Sequence, residues 1–249
     1  MTSFRRLSVV IPVYNEMRTL PELLTRVKQA PTCGLALEII TVDDGSTDGS
    51  REYLQGKAAE LGLTLILKER NQGKGAALRD GFARASGDII LVQDADLEYD
   101  PRQYPQLLQL ILDGAADVVY GLCFLGGPHR VLYYWHYVAN VALTQLSNIV
   151  SNVNMTDMET CYKVFRAEII KSMKLESDRF GFEPEVTIKL ARLGCRLYEV
   201  PISYYGRTYA EGKKIGWKDG VQALMTITRF GILDPLLGQS KGPAGKGRA

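Results

Sequence analysis

The feature that most constrains this chain is an alternation, repeated through its first half, of short apolar runs with longer stretches of helical spacing. Leu7 to Val13 is apolar and β-branched, the pattern of a strand buried on both faces. Thr19 to Ala30 follows with Leu20, Leu23, Leu24 and Val27 at helical spacing, and Pro21 suits a first helical turn. The pattern recurs. Strands are predicted at Leu37 to Val42, Leu63 to Lys68, Asp88 to Gln93 and Asp117 to Tyr120, with helices at Ser50 to Leu61, Gly75 to Ala85 and Tyr104 to Asp113. Helices of about a dozen residues between strands imply right-handed β-α-β units, hence an α/β fold with a mostly parallel sheet flanked by helices. In such sheets ligands sit beyond the carboxyl ends of the strands.

The second half changes character. Arg130 to Val150 predicts one long helix carrying Tyr133, Tyr134, Trp135 and Tyr137. Further helices are predicted at Phe182 to Leu193 and Trp217 to Phe230, with a strand at Arg196 to Val200. Tyr204 to Gly216 is basic and glycine-containing, the composition of a mobile loop. Residues 1–237 therefore read as one domain, and the tail 238–249, with Lys241, Lys246, Arg248 and no acid, reads as disordered.

Bulk properties remove several function classes. A formal charge of +2 supplies no basic field for a phosphate backbone, so no nucleic-acid partner is expected. Cys33, Cys123, Cys161 and Cys195 are scattered and read as reduced thiols. Only His129 and His136 are present, which excludes a multi-histidine metal site. The apolar stretch from Arg130 to Val150 is interrupted by His136, Asn140, Gln145 and Asn148, a poor pattern for a bilayer span. With no secretory leader either, the expectation is a cytoplasmic protein.

Three predicted strands end in polar residues. The first is followed by Tyr14-Asn15-Glu16, the second by Asp43-Asp44-Gly45-Ser46, and the fourth by Asp94-Ala95-Asp96-Leu97-Glu98. In an extended segment Asp94, Asp96 and Glu98 would point the same way, about 6.7 Å apart per step. Unit charges at that distance repel by about 0.6 kcal/mol in water and about 2.5 kcal/mol at an effective dielectric near 20. A hard divalent cation, Mg²⁺ or Mn²⁺, reverses that sign and would neutralise charge developing on a diphosphate leaving group. Asn71-Gln72-Gly73-Lys74-Gly75 opens a helix whose N–H groups could receive a phosphate. It lacks the spacing of a P-loop, and no G-x-G-x-x-G follows the first strand.

Taken in order, Ile11-Pro12-Val13-Tyr14-Asn15-Glu16, Val42-Asp43-Asp44-Gly45-Ser46-Thr47-Asp48, Asn71-x-Gly73-Lys74-Gly75 and Asp94-Ala95-Asp96 resemble the family-two inverting glycosyltransferases of GT-A (Rossmann-like) fold. Asp157-Met158-Glu159-Thr160-Cys161-Tyr162-Lys163, Phe182-Glu183-Pro184-Glu185 and Tyr204-Tyr205-Gly206-Arg207 resemble the dolichyl- or polyprenyl-phosphate mannosyl- and glucosyltransferase branch. The resemblance runs from about residue 7 to 230. It implies a nucleotide-sugar half over about 7–121 and an acceptor half over about 122–237.

What the resemblance implies can be carried over residue by residue. Pro12, Tyr14, Glu16 and Asp44, with Val42, Lys74 and Ala95, would surround the nucleotide diphosphate sugar. Asp94, Asp96 and Glu98 would hold the metal, Glu98 standing where many relatives carry Gln. Arg207, with Lys213 and Lys214, would close a loop over phosphate groups, and Arg130 would meet the phosphate of a polyprenyl acceptor. Many relatives continue the Tyr120-Gly121 strand with Ser-Arg, and that arginine binds the acceptor phosphate; here Leu122-Cys123 cannot donate charge-assisted hydrogen bonds.

The acceptor assignment therefore competes with two alternatives. One is a sugar-hydroxyl acceptor, with Asp157 or Glu159 as base. The other is a non-catalytic nucleotide-sugar-binding subunit working with a membrane-protein partner. Tyr and Trp at helical spacing are more often core than membrane contacts, but a lipid acceptor requires some peripheral surface at the cytoplasmic face of a membrane, and an amphipathic helix would supply it.

Overall fold

The computed structural model describes residues 4–123, 127–212 and 216–237. Within them, β1 (Arg6–Val13), β2 (Ala36–Asp43), β3 (Leu63–Leu67) and β4 (Ile89–Val92) alternate with α1 (Leu20–Lys28), α2 (Ser50–Leu61) and α3 (Lys74–Arg84). Then come α4 (Tyr104–Leu112), β5 (Val118–Leu122), α5 (Tyr134–Ser151), β6 (Lys163–Arg166), α6 (Ala167–Ser172), α7 (Phe182–Arg192), β7 (Leu197–Pro201) and α8 (Trp217–Thr228). One sheet of seven strands, in the order β3-β2-β1-β4-β6-β5-β7, runs through the molecule.

β1 lies between β2 and β4, with Val9 opposite both Ile39 and Leu91. Successive side chains of a strand point to opposite faces, so the apolar run of β1 feeds two cores. Leu7, Val9, Ile11 and Val13 pack with Leu20, Leu23, Leu24 and Val27 of α1 and with Leu107, Leu108 and Ile111 of α4. Val10 packs on the other side with Ile40, Val42, Ile90 and Val92, under Leu78 and Phe82 of α3 and Phe182 of α7. Gly81 lets α3 lie close: a Cβ there would stand 2.3 Å from Val10 Cγ1. A smaller core of Met158, Ile188, Ile227 and Phe230 seats α7 and α8 against α5.

Every strand and helix read from the first half is present, with ends shifted by a residue or two. Four findings in the second half differ from expectation, the short helix α6 being one that the sequence reading does not contain. β6 was not foreseen; Lys163-Val164-Phe165-Arg166 is too short to show a period. It enters antiparallel between β4 and β5, so the sheet is mixed. α5 begins at Tyr134 rather than Arg130, because the chain before it is extended and the Arg130 N–H donates to the Tyr204 carbonyl at 3.0 Å. The last helix passes at Arg229–Leu233 into a π-helical turn. The tail 238–249 lies outside the described residues.

Asp117 fastens the far side of the sheet. Its carboxylate accepts from the Arg196 N–H at 3.0 Å, from Arg196 Nη2 at 2.7 Å and from Arg166 Nη1 at 3.3 Å, joining the entries of β5 and β7 to the end of β6. Hydrogen bonds from Arg196 outweigh burial and hold this carboxyl down at about 2. Depression of a carboxylate gives stability that is complete above its unfolded value, near 3.9, and is lost as pH falls through the folded value. Asp117→Asn is expected to lower Tm at pH 7 by roughly 2–4 °C, for about 1 kcal/mol from a partly screened pair. That difference should shrink between about pH 4 and pH 2, as thermal unfolding across a pH series will read.

Candidate active site

The carboxyl ends of β1, β2 and β4 open onto one edge, and their loops are stitched together there. Asn15 adopts a left-handed turn (φ 52°) after β1. Its N–H donates to Ser46 Oγ at 3.0 Å, and its Oδ1 accepts from the Thr47 N–H at 2.8 Å. The Met17 N–H donates to Asp48 at 2.9 Å, and Thr19 Oγ1 donates to the Ala95 carbonyl at 2.7 Å. The polar residues after three separate strands thereby become one surface.

The acidic run is a turn, not the extended segment expected. Leu97 has φ 62°, and the Glu98 N–H donates back to Asp96 Oδ1 at 3.2 Å. Its three acids are divided between two cations. Asp94 faces Lys74, with Nζ at 2.8 Å from Oδ1, and Lys74 also lies 3.5 Å from Glu183 Oε1. Asp96 and Glu98 face Arg207, at 2.7 Å through Nη2 and 3.1 Å through Nε, and Glu16 joins them at 3.1 Å through Nη1.

The loop expected to be mobile is thus tied down over its described part. Tyr204 Oη donates to Glu98 at 2.8 Å, and the Arg207 N–H donates to Glu98 at 3.0 Å. Lys213, a candidate phosphate ligand, lies outside the described residues.

Charge at this edge is unbalanced. Burial, then Glu98 and Asp94, push the Asp96 carboxyl well above the usual carboxylate range despite Arg207 beside it. Burial works against the charge on Arg207, but Asp96 and Glu16 overcome it and raise its basicity. Burial likewise opposes Lys74, and Asp94 keeps it charged. The donor set is hard oxygen, and the site already holds a cation, so its chemistry fits Mg²⁺ or Mn²⁺. Its present geometry does not: among the described residues no three such side chains close on one point. The Arg207 guanidinium lies among Glu16, Asp96 and Glu98 instead.

Arg130 and Arg207 line one cleft of about 410 Å³ with Asn15, Glu16, Asp96 and Glu211. Arg130 is held there by Glu211 at 2.7 Å. Several candidate residues lie elsewhere. The Val42 side chain is in the core beneath α3, and Tyr14 is more than a third exposed at the end of β1 after Pro12. Asp157 is buried and does not line the cleft; it accepts from the Cys123 N–H at 3.3 Å and Asn140 Nδ2 at 3.1 Å. Cys123 points inward to Thr160 and Tyr99. Glu159 is half-buried, and its carboxyl is raised by desolvation and by Glu183.

The glycine-rich stretch does not offer the phosphate cradle its sequence suggested. The N–H groups of Gln72 and Gly73 donate to the Asp44 carboxylate at 3.0 and 2.7 Å, and the Ala76 N–H donates to the Asp178 carbonyl. Asp44 therefore shapes the loop. Gly45 (φ 81°) is required beside it, since a Cβ would stand 2.7 Å from the Asn71 nitrogen.

Two residues assigned no role from sequence belong with the site. Glu183 is buried against Lys74 with neither carboxylate oxygen hydrogen-bonded, and Glu211 occupies Arg130. Phe182-Glu183-Pro184-Glu185 carried the signal for the first, as two acids in one helical turn; Glu185 instead accepts from the N–H groups of Glu176 and Ser177.

Residues 8–173 match the profile of the glycosyl transferase family 2. The chain is 31% identical over 235 residues to an undecaprenyl-phosphate mannosyltransferase of Micrococcus luteus, covering 91% of this chain and 94% of that protein. It is 34% identical over 215 residues to an undecaprenyl-phosphate 4-deoxy-4-formamido-L-arabinose transferase of Aeromonas hydrophila, covering 85% of this chain and 64% of that one. Its fold is shared with glucosyl-3-phosphoglycerate synthase from Mycobacterium tuberculosis, solved with Mn²⁺, UDP and glucosyl-3-phosphoglycerate. The TM-score is 0.71 at 23% identity, over 91% of this chain and 80% of that one. The chain belongs to glycosyl transferase family 2 and is a glycosyltransferase of GT-A fold.

Asp44→Ala should leave the buried Gly73 N–H without an acceptor, at a cost of about 1–3 kcal/mol, and the part-buried Gln72 N–H as well, at a smaller one. The measurement is thermal unfolding of the variant, where an unchanged Tm would show that the loop is held by its packing on residues 177–179 alone.

Proposed function

We propose that the protein transfers a hexose, with inversion, from a nucleotide diphosphate donor of the GDP-mannose or UDP-glucose type to a polyprenyl phosphate, with Mg²⁺ or Mn²⁺ bound. The observation that carries this reading is the cleft at the carboxyl edge, where Arg130 and Arg207, two of the three arginines that line it with Arg18, stand beside the acidic turn. Two phosphate-bearing substrates meeting at one carbon need such a place. The named activities of the Micrococcus luteus and Aeromonas hydrophila relatives, both on undecaprenyl phosphate, support the acceptor class.

Asp96 and Glu98, with Asp94, would hold the cation, which when bound supplies charge neutralisation at the diphosphate. The chain's own residues do the rest. Glu16 and Asp44 shape the loops on the nucleotide side, and Lys74 fixes the direction of Asp94. The acceptor phosphate, with a second pKa near 6, is mostly a dianion at pH 7. Its oxygen attacks the anomeric carbon as the carbon–oxygen bond to the diphosphate breaks on the opposite face, and no proton has to be removed. Arg130 orients the attacking phosphate and Arg207 meets the diphosphate, so catalysis is chiefly positioning and charge stabilisation. Burial of Asp157 beneath its two N–H donors disfavours the alternative in which it serves a hydroxyl acceptor as base.

A lipid acceptor also calls for a docking surface. No helix of the described residues is long and apolar enough to cross a membrane. Immediately after Arg130, however, Val131, Tyr134 and Trp135 are exposed by 86%, 67% and 77% rather than buried as core. Trp217 and Met225 of α8, a helix packed on α5, are exposed as well. This ridge would rest in the interfacial region of a membrane and bring the cleft to the phosphate.

Two measurements test the proposal. Thermal unfolding with GDP-mannose or UDP-glucose should show a stabilisation that requires Mn²⁺, about 2.7 kcal/mol at a hundred times the dissociation constant. In Asp96→Ala both that stabilisation and hexose transfer to a polyprenyl phosphate should vanish; normal transfer would sink the metal assignment. In flotation with anionic liposomes at low salt, the wild-type chain should rise with the vesicles. A Trp135→Ala, Trp217→Ala double variant should largely stay behind, and equal flotation of both proteins would exclude the ridge.

A further inference from the structure

Arg207 is enclosed by acids in a way that phosphate binding does not explain. Each of its three side-chain nitrogens faces a different carboxylate, Nε that of Glu98, Nη1 that of Glu16 and Nη2 that of Asp96. The carboxylates come from two loops that follow different strands, so only the folded edge of the sheet assembles them. The segment around Arg207 is committed to the same residue: Tyr204 Oη and the Arg207 N–H donate to the Glu98 carboxylate, and the Tyr205 N–H donates to the Glu98 backbone carbonyl. Another of the cleft arginines is engaged too, since Glu211 lies on Arg130 at 2.7 Å, with one carboxylate oxygen where a phosphate oxygen would bind.

Asp96 and Glu98 are the acids through which the proposed function holds a divalent cation. The other oxygen of each is engaged as well, Asp96 Oδ1 by the Glu98 N–H and Glu98 Oε2 by Tyr204 Oη, and a metal ion brought to the same carboxylates would be repelled by the guanidinium already against them. We propose that Arg207 is the resident cation of the acidic turn and is exchanged for the divalent cation when the donor arrives. On exchange, the guanidinium leaves Asp96 and Glu98 and becomes available to the donor's phosphates. The inference rests on the reading that Asp96 and Glu98 bind the metal. Its consequence is a coupling. The metal alone competes with Arg207 and binds weakly, whereas metal and diphosphate together give every charge a partner and bind with positive cooperativity.

The test uses the full-length chain, with Mn²⁺ alone as probe, followed by the spin-resonance signal of the free ion. Arg207→Gln should bind Mn²⁺ about tenfold more tightly than wild type in the absence of nucleotide, the factor by which a competing state favoured about ten to one weakens apparent affinity. The same variant should bind UDP or GDP more weakly in the presence of saturating Mn²⁺, because it has lost a phosphate ligand. Opposite signs for the two ligands are not expected of a residue that only supports the fold.

Should Arg207→Gln not fold, wild type decides by limited trypsin digestion. Saturating Mn²⁺ should speed cleavage of the Arg207–Thr208 bond about threefold or more as the side chain is released, and adding UDP or GDP should slow it again. Unchanged Mn²⁺ affinity in Arg207→Gln and a metal-independent cleavage rate would overturn the exchange, even with metal-dependent donor binding intact in wild type. Failure of wild type to bind Mn²⁺ both alone and with donor would overturn the exchange together with the metal reading beneath it.

Discussion

The whole edge is governed by an excess of negative charge gathered where three strands end. Glu16, Asp94, Asp96 and Glu98 come from two loops, and among the described residues Lys74 and Arg207 are set directly against them. Unit charges 4 Å apart differ by about 4 kcal/mol between attraction and none at an effective dielectric near 20, so such a cluster cannot be left without counter-charge. The protein meets this by bringing cations from a distance. Lys74 opens a helix after β3, and Arg207 arrives from a loop beyond β7. Gly81 lets α3 lie close enough on the sheet for Lys74 to reach Asp94, and the loop after β7 is fastened to Glu98 where Arg207 meets the acids.

The parallel part of the fold was legible because its strands are buried on both faces and its helices have one apolar face. Leu7 to Val13 and the spacing of Leu20, Leu23, Leu24 and Val27 leave little freedom. β6 was hidden because four residues with a lysine and an arginine at their ends carry no period. Lys163 lies fully buried across the Tyr120 ring, an environment its neighbours in sequence do not signal.

The candidate site was legible in its acids and not in their pairing. Asp94, Asp96 and Glu98 were found as a group, but a strand-like alternation misjudged the turn at Leu97, and the partners Lys74, Glu183 and Arg207 lie 20 or more residues away. Glycine-rich Asn71 to Gly75 was read for its free N–H groups, whereas the fold had already supplied Asp44 as their acceptor. Local motifs announce which chemical groups are present. Which group faces which is decided by long-range packing that brings distant segments to one edge.

The antiparallel course of β6 has a consequence for how the chain can be divided. β4 and β5 belong to the first half in sequence, yet they are not paired with each other; a strand from the second half lies between them and pairs with both. A fragment ending after β5 would leave β4 with one bare edge and β5 with no strand partner at all. The stretch that matches the family profile, residues 8–173, runs past β6 and α6 before it stops. The matched stretch thus includes the wedge strand that joins β4 to β5, and leaves out only the edge strand β7. A graft exchanging acceptor regions between relatives would have to carry the wedge strand along or find an equivalent in its host.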